Sequence, residues 1–528
     1  MRQPEASSTG FLPWLGFLCM CIGMFMAILD IQIVATSLPT IQQALGISTD
    51  QMIWVQTAYL TAEIVAIPLT GYFTARLGMR WLFVAAICVF TLASAGCGQS
   101  ETFETLIAWR IVQGFAGGTL IPAVFSAVFL LFPPRSQGIA TTIAGIAAVF
   151  APTVGPIVGG WLTETYSWHW LFRINIVPGV LAAIGATLTL RGEASNARSD
   201  RSIDLLALVL LAAGLTALQI GLKDAPSLGW LSPAVAALLA GFVVCTGWFA
   251  WRTWHAASPL VELQCFRDRN FAVGCGLSFI LGAGLFGSTY LMPFFLGLVR
   301  EHDAFRIGQI MLVTGVAQLL SAPLAVYLEQ RVGARTLCLF GFGLFAAGLL
   351  ASTGQTAETD FAEMVLPQIM RGAASMFCLL PPTRIALGYL ATEKVADGSG
   401  LFNLMRNLGG AIGLALIDTT IFSRAETRGE AIAQDLQAGN VDTAVGIGIP
   451  RDAFIEQIGT PPDEFTEEMV RPLIERQALV DAINDAWLLI GVLTLLAVLL
   501  VFLIRRLPDR NAAPAASPSM VDADRSGC

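Results

Sequence analysis

Hydrophobic residues run along this chain in long blocks instead of alternating with polar ones. From Trp14 to Ile504, stretches of about twenty apolar residues recur, each long enough at about 1.5 Å per residue to cross the hydrocarbon of a bilayer as a helix. They predict spans at 13–38, 52–74, 81–98, 104–132, 138–162, 170–190, 205–222, 233–251, 271–298, 307–328, 337–352, 361–388, 400–422 and 486–504. The fold class this implies is an all-α membrane protein of about 14 transmembrane helices. An even number puts both ends on one side. Arg2, Arg76, Arg80, Arg135, Arg191, Arg198, Arg201, Arg252, Arg267, Arg269, Arg331, Arg335, Lys394, Arg505, Arg506 and Arg510 all fall on one face, whereas the short loops opposite carry little beyond Lys223, Arg300 and Arg306. Positive charge stays cytoplasmic, so that face and both termini are expected inside.

Composition agrees with the pattern: 55% of the 528 residues are hydrophobic, 13% are charged, and the mean hydropathy is +0.69. Such a chain cannot hide its apolar side chains in a water-soluble fold. The first ten residues are polar and the block after them lacks a small-residue cleavage signature, so it is expected to stay as the first helix. Most of the ten cysteines lie in or beside apolar blocks without ligand spacing and read as small hydrophobes. Neither a cofactor nor a metal site is expected. The net charge of −8 is local: between Ser423 and Asp485 there are thirteen acids against five arginines.

Pro68-Leu-Thr-Gly-Tyr-Phe-Thr-Ala-Arg-Leu-Gly-Met-Arg-Trp-Leu82 matches Pro323-Leu-Ala-Val-Tyr-Leu-Glu-Gln-Arg-Val-Gly-Ala-Arg-Thr-Leu337 at seven of fifteen positions. Both copies fall in the turn after the second span of a six-helix group, as parallel repeats require. A chance Arg-x-Gly-x-Arg turn explains that core but not the flanking Pro-Leu and Tyr. The expected organisation is therefore a six-helix half over 1–198, an inserted helix pair and linker over 199–260, and a second half over 261–504. The second half contains an extracytoplasmic loop at 423–484 and is followed by a cytoplasmic tail at 505–528.

Ionisable residues inside spans are costly in hydrocarbon unless paired or facing water, which makes them informative. Asp30, Glu63, Arg110 and Asp418 are the candidates. Counting rises from the span ends puts Asp30 about 13 Å and Arg110 about 9 Å below the same surface, and Glu63 near the midplane at about 16 Å. Leaving water favours the protonated acid and a nearby guanidinium favours the anion, so substrate arrival can switch a proton there. The alternative for Asp30 with Arg110 is a pair that only joins helices. Asp418 is an additional candidate for which snorkelling to the surface is the plainer expectation, and structural roles are expected for Arg173, Arg371 and Arg406.

Arg110, Gln113, Gly114 and Gly117 follow helical spacing and form one polar, small-residue face. In the fifth span Ala151, Gly155 and Gly159 recur every four residues while Pro152 and Pro156 interrupt the backbone ladder, a pattern that serves a packing seam or a gate equally well.

The run Leu29-Asp30-Ile-Gln-Ile-Val-Ala-Thr-Ser-Leu-Pro39, the turn Gly71 to Arg80, Arg110-Ile-Val-Gln-Gly114, Gly155-Pro156-Ile-Val-Gly159-Gly160 and Trp168-His-Trp-Leu-Phe-Arg-Ile-Asn175 together resemble the drug:proton antiporters of the major facilitator superfamily, fourteen-helix branch, EmrB/QacA type. The resemblance spans nearly the whole chain. It implies a gating-loop motif at Gly71, Arg76, Gly78 and Arg80, an antiporter motif at Pro152, Gly155, Pro156, Gly159 and Gly160, and a proton-linked arginine at Arg110. Four departures matter: Ala75 stands where the loop motif usually has an aspartate, Gln32 where a threonine follows Asp30, Ala151 at an early glycine of the antiporter motif, and Arg173 where an aromatic is common. Without the aspartate, Arg76, Arg80 and helix-end carbonyls are expected to hold the cytoplasmic gate.

The expected function is proton-coupled export of small apolar or amphipathic compounds, with two halves rocking around a central cavity. Met292, Phe294, Phe295 and Phe377 are candidates for lining it, core packing being the plainer fate of each. The expected partners are small-molecule substrates, protons and membrane lipid, with no nucleic acid. An exporter of one endogenous metabolite or siderophore and a symporter importing a nutrient are the nearer alternatives. A membrane-embedded enzyme fits poorly, because His169, His255 and His302 are dispersed at span ends. A loop of about sixty residues is long for joining two helices. Its end reads as a helix start at Thr460-Pro-Pro-Asp-Glu464, followed by the stripe Phe465, Met469, Leu473, Ile474, Ala478 and Ile483. That stripe needs a cover, either the protein's own outer face or, as the resemblance implies, a periplasmic membrane-fusion adaptor serving an outer-membrane channel.

Overall fold

The computed structural model describes residues 11–190, 204–256, 258–457 and 464–505, and every regular element among them is helical. In order these are α1 (Phe11–Leu45), α2 (Thr49–Ala66), α3 (Thr70–Cys97), α4 (Phe103–Leu131), α5 (Pro134–Thr165), α6 (Trp170–Arg173), α7 (Ile176–Thr189), α8 (Leu205–Leu228), α9 (Pro233–His255), α10 (Arg269–Leu298), α11 (Ala304–Arg331), α12 (Ala334–Leu350), α13 (Phe361–Leu387), α14 (Val395–Gln437), α15 (Val441–Gly446), α16 (Arg451–Gln457) and α17 (Glu464–Val501).

Twelve of the described segments are long and apolar enough to cross a membrane. One of them, Gln51–Cys97, contains two crossings, because Gly78 with φ 75° and ψ 155° reverses the chain inside α3. A side chain would be strained at that φ, so the turn depends on glycine. With the shorter apolar helix Ala334–Leu350 the crossings number about fourteen. Polar N-caps mark many of the helix starts: Thr102, Asp204, Ser232, Asp268, Asp303 and Asp360 each accept a hydrogen bond from a backbone N–H of the first turn.

Helices α1 to α7 pack largely among themselves, with α1 on α5 and α7 and with α4 on α2 and α3. So do α10 to α14 and α17, in which α10 lies on α14 and α17 and α13 on α11 and α12. Helices α8 and α9 pack on each other, and α8 touches α2 and α14, where Leu218 and Leu222 meet Ala415. The two groups join along α5 and α11 and where α14 meets α3 and α4. Outward faces carry exposed Leu92, Leu188, Val243, Trp251, Leu320 and Leu499, as contact with lipid tails demands.

The stretch expected as an extracytoplasmic loop at 423–484 is mostly helix. The α14 helix continues past Ser423 to Gln437, α15 and α16 follow, and α17 runs without a break from Glu464 into the last span. The later part of the expected stripe has its cover in this chain: Ala478 and Ile483 are buried, Leu473 and Ile474 half-buried, and a Cβ on Gly429 would touch Ala478 and Ile474 at 3.8 and 3.9 Å. Arg428 pairs with Asp485 at 3.3 Å, and Asn484 donates to the Gln355 carbonyl at 2.7 Å. The side chains of Phe465 and Met469, residues 1–10, the linker positions Arg191, Arg198 and Arg201, Thr460 to Asp463 and the tail from 506 lie outside the described residues.

Candidate proton-coupling site

Asp30 sits mid-way along α1 with no solvent exposure. Its Oδ2 accepts from Arg110 Nη1 of α4 in a buried ion pair. Its Oδ1 accepts from Gln113 Nε2 at 2.9 Å and from Asn175 Nδ2 at 2.8 Å. Gln113 is therefore a bridge: its Oε1 accepts from Arg110 Nη1 at 2.8 Å, and its Nε2 also donates to Ser94 Oγ of α3 at 2.8 Å. The Arg110 guanidinium has two further restraints, a 3.0 Å bond from Nε to the Val55 carbonyl and the Tyr59 ring 4.3 Å from its carbon. Tyr59 is itself fixed by donating to the Ala27 carbonyl at 3.1 Å.

The i, i+3 spacing of Arg110 and Gln113 puts both on one face of α4, and glycines let that face close on α2. A Cβ at Gly114 would strike the Tyr59 carbonyl, and one at Gly118 would strike that of Glu63. Glu63, one helical turn beyond Tyr59, is also buried, yet no hydrogen bond links it to Asp30 or Arg110 among the described residues. The site is thus a charge-assisted network drawn from α1, α3, α4 and the α6–α7 junction, with a second carboxyl close by. In sequence Ser94 carried no signal, and Asn175 stood out only as the end of a motif, since neither is ionisable.

Asp418 is half-buried. Its Oδ1 is shielded from solvent without a hydrogen-bond partner among the described residues, and Tyr290 of α10 is its neighbour. In the turn around Gly78, Arg80 donates to the Thr187 carbonyl near the end of α7 at 2.6 Å and Arg76 to the Tyr72 hydroxyl at 2.8 Å. Ala75 is exposed, and an acid reaches this loop from α14 instead: a Cβ on Gly71 would strike Asp397. At the same end Ser399 donates to the Pro122 carbonyl at 2.8 Å. In α5, Gly155, Pro156, Gly159 and Gly160 are buried and Pro152 half-buried, and a Cβ on Gly155 would strike Gln32 of α1. The other side of α5 meets α11, where Gly308 abuts Ile157 and Gly315 abuts Thr153. Met292, Phe295 and Phe377 are buried core residues.

A bundle of about fourteen membrane-crossing helices with an acid–arginine network in its interior defines a polytopic transporter. The Major Facilitator Superfamily model matches residues 20–414, and the chain belongs to that superfamily, in its EmrB-type branch. The colistin resistance protein EmrB of Acinetobacter baumannii is 34% identical over 475 residues, covering 89% of this chain and 92% of that protein. The multidrug export protein EmrB of Escherichia coli K12 is 32% identical over 417 residues, covering 78% and 80%. Among solved structures, the human organic anion transporter MFSD10 superposes with TM-score 0.58 at 12% identity over 93% of this chain and 100% of that one, a likeness of fold alone.

Proposed function

We propose that this protein is a multidrug exporter that exchanges protons for small apolar or amphipathic compounds by alternating access. It works in a bacterial inner membrane with the arginine-rich loops and both termini in the cytoplasm. The observation that carries the reading is the Asp30 carboxyl, fully buried among spans yet held by Arg110, Gln113 and Asn175. A fixed structural anchor needs no more than this. A proton site needs in addition a partner that can leave, and the Arg110 guanidinium, shared among Asp30, Gln113 and the Val55 carbonyl, has alternatives when α1 and α4 move. In this mechanism Asp30 and Glu63 take protons from the outer side and Arg110 sets when Asp30 releases its own. The Gly78 loop with Arg76, Arg80 and Asp397 holds the inner end closed, and the Gly155 seam lets α5 slide on α1 and α11. The acidic segment 423–484, from the extension of α14 through α15 and α16 into α17, is the surface proposed to meet a periplasmic adaptor.

The test is proton release from purified protein in weakly buffered detergent on adding a substrate identified by a toxicity panel. Wild-type protein should release protons, and Asp30→Asn, which cannot, should bind substrate with release abolished or limited to the Glu63 share. Wild-type release from the Asp30→Asn, Glu63→Gln double variant would refute the assignment.

A further inference from the structure

Gln368, Arg371 and Gly372 of α13 repeat the α4 set Arg110, Gln113 and Gly114 with the arginine and glutamine exchanged. The backbone confirms that the two sets correspond: a Cβ on Gly114 would strike the Tyr59 carbonyl of α2, and one on Gly372 the Thr314 carbonyl of α11. Both arginines lie over aromatic rings, Arg110 over Phe172 at 5.7 Å and Arg371 over Trp487 at 4.6 Å. The acid is what differs. Arg110 has Asp30, while Arg371 has the Met292 sulfur at 3.5 Å from Nη2.

Arg371 is 3% exposed, and its Nη1 has no hydrogen-bond partner among the described residues. One turn earlier, the fully buried Gln368 accepts from Thr314 at 3.0 Å, but its Nε2 is likewise unpartnered. A guanidinium withdrawn from water without a counter-charge is strongly unfavourable, as are orphaned donors beside it. Glu363 lines the same cavity as Arg371 but eight residues earlier in the helix, about 12 Å along the axis, where its Oε2 is engaged by the Asp360 N–H at 3.1 Å.

Arg371 faces a cavity of about 90 Å³, lined also by Met292, Met364, Pro367, Gln355 and, at its far end, Glu363, and reaching the 351–359 loop. Two more guanidiniums flank that loop: Arg300 and Arg476 both donate to the Ala357 carbonyl, at 2.9 and 3.0 Å, Arg300 also pairing with Asp360 at 3.4 Å. The space has room for a small ion and not for a drug-sized molecule. We propose that this cavity binds a small monovalent anion, chloride or a short carboxylate, which supplies Arg371 with the counter-charge that Asp30 gives Arg110. Arg371 fixes the anion, Gln355 and the loop shape its entrance, and the two methionines give the walls a soft, adaptable surface.

Trp487 provides a reporter, because its ring lies on the Arg371 guanidinium and its Nε1 donates to Gln355 at 3.2 Å. Full-length protein in detergent is titrated with iodide at constant ionic strength in gluconate, an anion too bulky for the cavity. The signal is the quenching difference between wild type and Trp487→Phe. The expected result is a saturable component that chloride or acetate displaces, lost or weakened about tenfold or more in Arg371→Gln and partly retained in Arg371→Lys. Displacement by acetate but not chloride assigns a carboxylate ligand, and displacement by both assigns any small monovalent anion. Quenching that rises linearly with iodide and that neither competitor changes overturns the proposal, leaving a cavity that holds only water. That competition is decided on the wild-type protein, whether or not the Arg371 variants fold.

Discussion

Replacing Arg110 and Asp30 singly and together tests the network quantitatively. Arg110→Gln leaves a fully buried carboxyl with only the Gln113 and Asn175 amides, and it also frees the Val55 carbonyl that Nε bonds at 3.0 Å. Asp30→Asn leaves the guanidinium on the Tyr59 face without its counter-charge. Removing one member of a buried ion pair costs about 3–5 kcal/mol. The double variant buries two neutral amides that can still bond each other and Gln113, so its cost should be no greater than that of either single change. The cycle then yields a coupling energy of about 3 kcal/mol, equivalent to about a 150-fold change in the folded population. Sodium dodecyl sulfate titration in mixed micelles, read by circular dichroism, measures it. Single costs that add to within about 0.5 kcal/mol would show that the two side chains do not depend on each other, and the argument from the network would fail.

Gly155→Leu should abolish transport at normal expression, because even a Cβ there strikes Gln32 of α1, while Gly155→Ala should leave a measurable fraction. Unchanged efflux in the leucine variant would mean the seam is loose; Gly159→Leu is the parallel test. For topology, a cysteine at Asn440, the cap of α15, should react with an impermeant thiol reagent in spheroplasts of a cysteine-depleted strain while Cys528 does not. Reaction at Cys528 without permeabilisation would invert the orientation. Replacing residues 440–457 by a short Gly/Ser linker spares the α14–α17 contact at Gly429 and Ala478, so vesicle transport should persist while cellular resistance falls if an adaptor docks there. Loss of both would assign those residues to the protein's own fold.

The crossings were legible in the sequence because each apolar block is its own evidence, and the turn at Gly78 because its Arg-x-Gly-x-Arg pattern recurs at 331–335. Asp30 with Arg110 was legible for a related reason: charges in hydrocarbon need each other, and the two lie at matching depth. What stayed hidden depends on neutral donors. Ser94 and Asn175 look like any small polar residue until the fold brings three helices to one carboxyl. The helical nature of 423–437 was hidden by its acidity, which marked where the membrane ends and not where the helix does. The place of Asp418 near a span end suggested solvent, and the residue is half-buried, with one oxygen shielded beside Tyr290 of α10.

The two helix groups carry one backbone plan and unlike chemistry. The repeat offset that pairs Pro68 with Pro323 also pairs Tyr59 with Thr314 and Glu63 with Gln318. Gln318 donates to the Gly145 carbonyl of α5 at 3.4 Å and so serves the joint between the groups, where its counterpart Glu63 is a buried acid. Likewise Arg110 and Gln113 hold an aspartate, whereas Gln368 and Arg371 hold no acid among the described residues. The second group buries acids of its own, but Glu329 is paired with Arg384 at 3.4 Å and Asp397 accepts from the Glu262 N–H at 3.4 Å, whereas an acid that must gain and lose a proton destabilises whichever state holds it wrongly charged. On the proposed proton coupling, protonation at Asp30 and Glu63 would change the packing of α1, α2 and α4, and the response would be read at the contacts between the groups, Ser399 on Pro122 and Asp397 on Gly71.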